Sequence, residues 1–443
     1  MTSTKVVEIE VISNEIIKPY SPTPDDLRHY KLSFLDQISP KVYNPLLFFY
    51  ELKSDDPNDD HSHHNLNNNM INHLKKSLSK VLTLFYPLAG RFKDDLFVDC
   101  NDQGVPFLET KVKGQSFSEA IKAPIPSDHN KFLPFKLDEV GEFALGVQLN
   151  IFENGGIAIG LCTSHKIADA LSCIMFVKTW AAIARCDDQT HDTITQPEFI
   201  SATLFPPKDM GSYNQNIGIT RTDIIAKRFV FDARAIKALK TKLISDEIKA
   251  PSRVEALSSF IWSRFVAATS NNSEKVHIVI HPVNLRPKFD PPLEDHHFGN
   301  FYRSAFTVVP SSSVGEDYCG RELVKRIREE IKKIDKEFVE KLKEGNEEHF
   351  HMIKDNCSSF VRGEVVTFAF TSLCRFQVYE ADFGWGNPTW VGCPALNFHN
   401  VTAFFDTKTG DGIEAYISLK QDDMAKLEAD NEFQTFVSPI LLY

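Results

Sequence analysis

The chain has 443 residues, of which 42% are hydrophobic, and its formal net charge at pH 7 is −11. This length and composition allow more than one hydrophobic core, and they predict two or three domains. The acidic balance argues against nucleic acid or an anionic membrane as a general partner, because both require a basic protein surface.

The first half of the chain alternates between strand-like and helix-like patterns. In chain order, the patterns predict a strand at 6–12, a polar surface loop at 54–69, a helix at 70–85, two strands around a turn at 98–108, a hairpin at 147–162 and a helix after His165. No uninterrupted apolar run has membrane-spanning length, so we expect no membrane insertion.

A polar, proline-bearing stretch at 191–222 shows no sustained period, and it predicts a crossover between two domains. The second half then predicts a strand at 227–231, helices at 233–243, 253–268 and 321–342, and strands at 276–283, 365–372, 401–406 and 412–419. These interleaved elements predict a two-domain α/β protein, with an N-terminal domain at 1–190 and a C-terminal domain at 223–443.

The segment from Gly160 to Ala170 contains the most informative residues. An apolar run is followed by His165, and Asp169 comes four residues later, at the start of the predicted helix. Imidazole is the side chain best able to accept a proton near neutral pH, which makes His165 a candidate general base. Asp169 could orient His165, or it could cap the N-terminus of the helix.

Two other segments have functional potential. Asp382-Phe-Gly-Trp-Gly386 predicts a tight, irregular loop, because two glycines flank an aromatic residue and a proline follows closely. Ser252 precedes a predicted helix, whose N-terminus favours phosphate groups, and the adjacent Arg253 could neutralise their charge.

Two further kinds of site have weaker support. Cys162 or Ser164 could act as a covalent nucleophile beside His165, but neither occupies a recognisable activating elbow. A zinc site would use His165, Asp169, His296 and His297. That set lacks any recognised ligand spacing, so we expect no metal. The eight cysteines form no CxxC pair, which favours reduced thiols in a cytoplasmic protein.

Three motifs occur in order along the chain: His165-Lys-Ile-Ala-Asp169, Asn284-Leu-Arg286 and Asp382-Phe-Gly-Trp-Gly386. Together they resemble the HxxxD, NLR and DFGWG segments of the plant BAHD acyltransferases. The N-terminal half is most similar to the branch that acetylates alkaloids and terpenoids. The resemblance implies a monomer of two α/β domains with the chloramphenicol-acetyltransferase-like topology, mixed sheets, and a channel between the domains.

The resemblance also implies an activity. The chain would transfer an acyl group, expected to come from acetyl-CoA, to a hydroxyl of a specialised plant metabolite such as an alkaloid or terpenoid. His165 would act as general base in a ternary complex. No cofactor would be permanently bound, because acyl-CoA is a co-substrate, and the second partner would be a small-molecule alcohol. The alternatives are a catalytically silent binding protein, a longer acyl donor, or an amine acceptor.

The resemblance implies roles for individual residues as well. Asp169 would form a structural pair with Arg286, and Asp382 would brace its loop. The coenzyme would contact Ser252, Arg253, Ser372, Asp382, Gly384 and Trp385. Leu373 stands where the closest relatives carry tryptophan, so we expect a wider acceptor side that favours a bulky, mostly apolar acceptor.

Overall fold

The computed structural model describes residues 6–52, 60–185, 194–210, 223–269, 275–309, 320–345, 362 and 364–438, with the backbone alone described for 60–67. The chain divides into two compact units, neither of which is continuous in sequence. The first unit comprises Met1–Met210, Asp295–Asn300 and Phe376–Pro394, and the second comprises Gly211–Glu294, Phe301–Arg375 and Ala395–Tyr443.

The strands are β1 (Glu8–Ile17), β2 (His29–Lys31), β3 (Tyr43–Tyr50), β4 (Arg91–Lys93), β5 (Phe97–Asp99), β6 (Val105–Lys113), β7 (Leu145–Phe152), β8 (Ile157–Ser164), β9 (Ile224–Phe231), β10 (Val276–Asn284), β11 (Tyr302–Val309), β12 (Val365–Ser372), β13 (Trp390–Gly392), β14 (Val401–Asp406) and β15 (Ile413–Lys420).

The α-helices are α1 (Phe34–Gln37), α2 (Asp60–Leu84), α3 (Phe117–Lys122), α4 (Pro126–His129), α5 (Ala170–Arg185), α6 (Ser201–Leu204), α7 (Ala233–Leu243), α8 (Arg253–Thr269), α9 (Arg321–Lys333), α10 (Lys336–Lys343), α11 (Gln421–Ala429) and α12 (Asn431–Phe436). Among the described residues, no helix is both long and apolar enough to cross a lipid bilayer.

The first unit is built on a mixed sheet with the strand order β1-β6-β7-β8-β3-β13. Strands β6 and β7 are parallel, and the other neighbouring pairs are antiparallel. Strand β8 is buried along its whole length, because it lies between β7 and β3 and its sequence is almost continuously apolar. The predicted hairpin is confirmed: β7 and β8 are joined by a turn in which Gly155 and Gly156 both have φ of +84°.

The second unit contains another mixed sheet, with the order β11-β10-β12-β14-β15-β9. Strand β12 is parallel to both of its neighbours, β10 and β14. Helix α8 contributes Trp262 and Phe265 to a hydrophobic core that also contains Phe370 of β12 and Phe404 of β14. The sheet and α8 therefore share one hydrophobic core.

The structure differs from the sequence predictions at three places. Helix α2 begins at Asp60, so most of the predicted polar loop is helical, since extending a packed helix adds one hydrogen bond per residue. The two strands predicted at 98–108 are present as β5 and β6, but β6 extends to Lys113, and the strands have different partners: β5 pairs with β2 and β4, whereas β6 pairs with β1 and β7. The single helix predicted at 321–342 is α9 and α10, because Asp335 caps a new helix by accepting a hydrogen bond from Phe338 N–H.

Segment 376–394 also lies in a different unit from the one predicted. The sequence predicts the Asp382–Gly386 loop in the C-terminal domain, but the structure places it in the first unit. Strand β13 explains this placement, because it pairs with β3 at the edge of the first sheet. The register joins Trp390 to Phe49, and pairing between strands so distant in sequence leaves no local signal.

Candidate active site

His165 directly follows β8, at the end of a buried strand. Its backbone N–H donates a hydrogen bond to the carbonyl of Val42 at 2.9 Å, and Ser164 pairs with Tyr43 in the adjacent strand β3. The sheet thereby fixes the backbone at the point where the chain turns toward α5. A side chain at such a junction is held by a rigid scaffold.

The side chain of Asn300 sets the hydrogen bonding of the His165 ring. Its Nδ2 group donates to the carbonyl oxygen of His165 at 2.8 Å and to Oδ1 of Asp36 at 2.8 Å. Both acceptors lie on the same side of the Asn300 amide, so the amide nitrogen must be on that side. Oδ1 of Asn300 therefore faces Nδ1 of His165 at 3.1 Å. This assignment requires Nδ1 to carry the proton, which leaves the lone pair of the neutral ring on Nε2.

Asp36 supports this arrangement from inside the protein. Its Oδ2 accepts hydrogen bonds from the N–H and the hydroxyl of Ser33 at 2.8 and 2.7 Å, and its Oδ1 accepts from Asn300. Both Asp36 and Asn300 are fully buried. Burial raises the pKa of Asp36 to about 6, and the hydrogen bonds from Ser33 and Asn300 oppose that rise. The carboxylate is therefore mostly ionised at pH 7, and it acts as an acceptor.

The environment of His165 favours the neutral imidazole. Burial lowers the pKa of His165 below its ordinary value, and the nearby backbone, the charge of Asp169 and the hydrogen bond with Asn300 offset this only in part. A neutral ring with a basic Nε2 is the form that a general base requires.

Asp169 caps helix α5 and helps to position Asn300. Its Oδ1 accepts a hydrogen bond from Ser172 N–H at 2.9 Å, as an N-cap residue does. The hydroxyl of Ser172 is hydrogen-bonded to both the carbonyl and the N–H of Gly299, at 3.0 and 3.1 Å. The first turn of α5 thus holds the residue next to Asn300.

Arg286, the predicted partner of Asp169, lies in the second unit. It is 1% exposed, its N–H donates to Oδ1 of Asn284 at 3.1 Å, and its guanidinium lies 4.9 Å from the ring centroid of Phe301. A buried guanidinium requires charge compensation. The pairing of Asp169 with Arg286 stays a prediction.

We expect Asp169→Ala to cost more free energy of unfolding than loss of an N-cap alone. Asp232 offers a matched control, because it caps α7 through the same type of hydrogen bond, to Ala235 N–H at 2.8 Å. Asp232→Ala should cost about 1 kcal/mol. Asp169→Ala should lower the free energy of unfolding by ~3–5 kcal/mol if it also leaves the buried Arg286 charge without its counterion. Equal losses in denaturant titrations of the two variants would contradict the predicted pair.

The carboxylate of Asp382 accepts hydrogen bonds from the backbone of its own loop. Its Oδ1 accepts hydrogen bonds from the N–H groups of Gly384 and Gly386 at 2.8 and 2.9 Å. The preceding residues anchor the loop, since the Tyr50 hydroxyl donates to the carbonyl of Ala381 at 2.6 Å. Trp385, partly buried, stacks on Phe383 with a centroid separation of 5.7 Å. These hydrogen bonds and the ring stacking fix the conformation of the loop. Gly384 and Gly386 are exposed.

We expect Gly384→Ala and Gly386→Ala to be destabilising for a purely backbone reason. Their φ angles are +112° and +103°, yet an added Cβ would meet no atom within 4 Å at either position. Each substitution should cost about 1–3 kcal/mol and should raise the KM for acetyl-CoA. Gly141→Ala is the control, because that site is equally open but lies outside the left-handed region. Equal stability and kinetics for all three variants would contradict this prediction.

Three of the residues predicted to contact the coenzyme lie close together in the second unit. Ser252 caps α8: its hydroxyl accepts from Glu255 N–H at 3.0 Å, and its N–H donates to the Glu255 carboxylate at 2.7 Å. Arg253 donates to Oδ1 of Asp406 at 2.7 Å. The other carboxylate oxygen of Asp406 accepts from Arg375 N–H at 2.6 Å, which brings the segment after β12 to the same place.

Ser372 is the last residue of β12 and Leu373 is the first residue after it, and both are partly buried. The hydroxyl of Ser372 accepts from Cys374 N–H at 3.2 Å, and Leu373 N–H donates to the carbonyl of Phe404 at 2.8 Å. Ser252, Arg253 and Ser372 therefore belong to one surface region of the second unit, whereas Asp382, Gly384 and Trp385 belong to the first unit.

The structure weakens the covalent alternative. Cys162 and Ser164 are both fully buried within β8. Burial raises the pKa of the Cys162 thiol well above its ordinary value, and its hydrogen bond to the Phe135 carbonyl does not compensate. A nucleophilic cysteine requires the opposite shift.

The local sequence assigns no role to Asn300 or to Asp36. The sequence does contain the capping-box pattern Ser33-Phe-Leu-Asp36, which predicts a helix start but not a contact with Asn300, 264 residues later. Long-range pairing of buried polar groups leaves no local pattern.

Comparisons with known proteins agree with the family resemblance. A family model described as the Transferase family matches residues 7–434. Limonoid 21-O-acetyltransferase of Melia azedarach is 35% identical over 442 residues, covering 98% of this chain and 99% of that protein. Stemmadenine O-acetyltransferase of Catharanthus roseus is 37% identical over 435 residues, covering 96% and 97%.

Two solved structures match the fold. Vinorine synthase has a TM-score of 0.80 and 32% sequence identity, and the match covers 98% of this chain and 100% of that one. TRI101 of F. graminearum, complexed with coenzyme A and T-2 mycotoxin, has a TM-score of 0.74 and 16% identity, covering 93% and 99%. The predicted two-domain α/β fold with mixed sheets is thereby confirmed. Because the family model and the full-length relatives span almost the whole chain, this protein belongs to the Transferase family of BAHD acyltransferases.

Proposed function

We propose that this chain transfers the acetyl group of acetyl-CoA to a hydroxyl of a specialised plant metabolite, with His165 as general base. The observation that carries the proposal is the hydrogen bond from His165 Nδ1 to Asn300 Oδ1, 3.1 Å long, which assigns the lone pair of the ring to Nε2. The acetyltransferase relatives support the reaction class.

The mechanism follows from the chemistry of a thioester. With both substrates bound, Nε2 of His165 accepts the proton of the acceptor hydroxyl as its oxygen attacks the thioester carbonyl. The tetrahedral intermediate then collapses: the carbon–sulfur bond breaks, and the imidazolium returns its proton to the thiolate of coenzyme A. The thioester is already activated, so no nucleophile from the protein is required. General-base catalysis of this type contributes about 10²–10⁴-fold.

Acyl-CoA is proposed to bind as a co-substrate rather than as a resident cofactor. Ser252 and Arg253 at the N-terminus of α8 are suited to phosphate, because helix N-terminal N–H groups and a guanidinium both favour anions. The Asp406 carboxylate orients Arg253 but also offsets part of its charge. Asp382, Gly384, Trp385 and Ser372 are proposed to contact the rest of the coenzyme. We also propose that the protein is a monomer in the cytoplasm.

The acceptor is proposed to be a bulky, mostly apolar alcohol such as an alkaloid or terpenoid. The family resemblance implies tryptophan at the position of Leu373 in related enzymes, and the smaller leucine side chain would leave more room on the acceptor side. The chain contains 35 phenylalanines, and apolar walls suit a polycyclic ligand better than a sugar.

Thiol release from acyl-CoA in the presence of acceptors tests this proposal. We expect acetyl-CoA to give a higher kcat/KM than malonyl-CoA or coumaroyl-CoA, and alkaloid or terpenoid alcohols to exceed phenolic and sugar alcohols. Preference for malonyl- or coumaroyl-CoA, for an amine, or for a sugar acceptor would contradict it. Tight acceptor binding by calorimetry with no thiol release across the panel would instead indicate a catalytically silent binding protein.

A further inference from the structure

Glu198, His296 and His297 form a compact group of metal-ligating side chains in the first unit. The Nε2 atom of His296 lies 3.3 Å from Oε1 of Glu198, and the Nε2 atom of His297 lies 3.2 Å from Oε2. One ligating atom from each of the three residues lies within 4.8 Å of the other two. The side chains therefore converge from two separate segments of the chain.

Backbone hydrogen bonds hold the two segments together. Glu198 N–H donates to the carbonyl of His296 at 2.9 Å, and Phe298 N–H donates to the carbonyl of Glu198 at 2.9 Å. His296 lies in a turn, and its ring stacks on that of His297, with a centroid separation of 4.7 Å and an angle of 24°. Neighbours in an extended strand would point to opposite faces. The turn thus places both imidazoles on the same side as the carboxylate.

The distances between the three side chains suit a small divalent ion. Zinc binds histidine nitrogen and carboxylate oxygen at about 2.0–2.2 Å, so two ligands of a tetrahedral site lie about 3.3–3.6 Å apart. The nitrogen–oxygen distance of 3.3 Å lies at the lower limit of this range, and that of 3.2 Å lies just below it. The side chains of His296, His297 and Glu198 are 22%, 11% and 54% exposed, which leaves access for the ion and for water as a further ligand.

A direct ion pair between imidazole and carboxylate would have similar distances. In this protein, however, two stacked rings converge on the same carboxylate from one side, and a single shared ion accounts for that convergence. Two imidazoles with one carboxylate also favour zinc and its transition-metal neighbours over magnesium and calcium, which prefer oxygen ligands.

We propose that Glu198, His296 and His297 bind one divalent transition-metal ion of the zinc class. The sequence alone predicts no metal, because the candidate set His165, Asp169, His296 and His297 lacks recognised ligand spacing. The ligand absent from that set is Glu198, 98 residues before His296. The bound ion would join the segment around Glu198 to the segment that ends in Asn300, three residues after His297. This proposal does not depend on the acyl-transfer reaction.

The test uses the full chain without an affinity tag, stripped of metal with a chelator. His61, His63 and His64 are clustered in sequence and could bind zinc on their own. The reference protein therefore carries His61→Asn, His63→Asn and His64→Asn. Zinc chloride alone is the calorimetric probe, and cobalt(II) is added separately because its visible absorption reports on nitrogen and oxygen ligands.

We expect the reference protein to bind one zinc ion, and the added His296→Ala and His297→Ala substitutions to abolish that binding. Glu198→Gln, which keeps the shape of the side chain, should weaken binding at least about tenfold. Zinc at roughly 100 times its Kd should raise the Tm of the reference protein by about 3 °C and leave the double variant unchanged. His29→Ala, at another exposed histidine of the first unit, should bind zinc like the reference protein.

Unchanged stoichiometry and Kd in the His296→Ala, His297→Ala protein would overturn the proposal and would indicate an adventitious ion only. Absence of zinc binding by the reference protein, while the natural sequence binds, would assign the ion to His61, His63 and His64 and would also overturn it. The Tm and circular dichroism of the metal-free variants check that each variant folds, because His297 is buried although Glu198 is exposed.

Discussion

His165→Ala should reduce kcat at least about 100-fold while leaving the KM for acetyl-CoA and the Tm nearly unchanged. The substitution removes the Nε2 lone pair, which we propose accepts the hydroxyl proton. It leaves intact the hydrogen bond from His165 N–H to Val42, because that bond belongs to the backbone. The measurement is steady-state thiol release at saturating acetyl-CoA, combined with calorimetric binding of coenzyme A.

The control is His29→Ala, which removes an exposed imidazole of the same unit and should retain full activity. If His165→Ala keeps more than about a tenth of the wild-type turnover, His165 is not the general base. If turnover is lost together with coenzyme binding and cooperative unfolding, the substitution has damaged the fold. A second variant, His165→Gln, keeps a polar side chain of similar length. It then distinguishes loss of the general base from damage to the fold.

The pH profile gives an independent check on His165. The base is active when the ring is neutral, so kcat/KM should rise as pH increases through the pKa of the free enzyme. Burial lowers the pKa of His165 below its ordinary value of 6.5, and burial raises that of Asp36 only to about 6. We therefore expect the midpoint of the acid limb below pH 6.5 and full activity at pH 7. A midpoint above 6.5 would contradict a desolvated, neutral His165.

Sequence patterns could predict His165 because local information is sufficient there. A buried strand, a turn and a helix follow one another within 157–185, so the strand-to-helix junction is visible without any knowledge of other segments. The same holds for Ser252, where a capping serine precedes helix α8, and for the Asp382 loop, whose two glycines adopt positive φ. Each of these features is encoded by neighbours within a few residues.

The partners of His165 could not be predicted in this way. Asn300 and Asp36 lie 135 residues after and 129 residues before His165, and neither belongs to a motif that indicates a contact with it. The placement of 376–394 in the first unit depends on the pairing of β13 with β3, which is equally remote. Glu198 is a further example, because its carboxylate meets His296 and His297 only through the fold. What local sequence misses in this protein is therefore the pairing of distant polar groups.

Asn300→Ala should lower kcat at least about tenfold with little change in the KM for acetyl-CoA. The loss should stay below the roughly 10⁴-fold decrease seen when a catalytic histidine loses the partner that fixes its tautomer in a triad. Without the acceptor at Nδ1, the ring can carry its proton on Nε2 instead, and that tautomer cannot accept the hydroxyl proton. The hydrogen bond with Asn300 raises the pKa of His165, so its removal should also move the acid limb to lower pH.

Asn150→Ala is the matched control for this variant. Asn150 is another fully buried asparagine of the first unit, and its Nδ2 group donates to the carbonyls of Phe132 and Ala158 at 3.0 and 3.2 Å. Its removal should destabilise the fold to a similar extent but should leave the pH profile unchanged. If both variants shift the acid limb equally, Asn300 acts through stability alone and not through His165.

Asp36→Asn tests whether the inner carboxylate sets the orientation of Asn300. Its new amide can still accept from Ser33, and it then presents an NH₂ group to Nδ2 of Asn300, where the wild-type protein has an acceptor 2.8 Å away. Relief of that donor–donor contact requires the Asn300 amide to rotate, which turns its NH₂ group toward Nδ1 of His165 and favours the inactive tautomer. We expect kcat to fall at least about tenfold, and ¹⁵N NMR of the imidazole to show the proton moving from Nδ1 to Nε2.

Ser33→Ala removes the cap of α1 while keeping the Asp36–Asn300 hydrogen bond, so it should lower stability without changing the tautomer. A wild-type tautomer and rate in Asp36→Asn would show that Asn300 is oriented by the carbonyl of His165 alone.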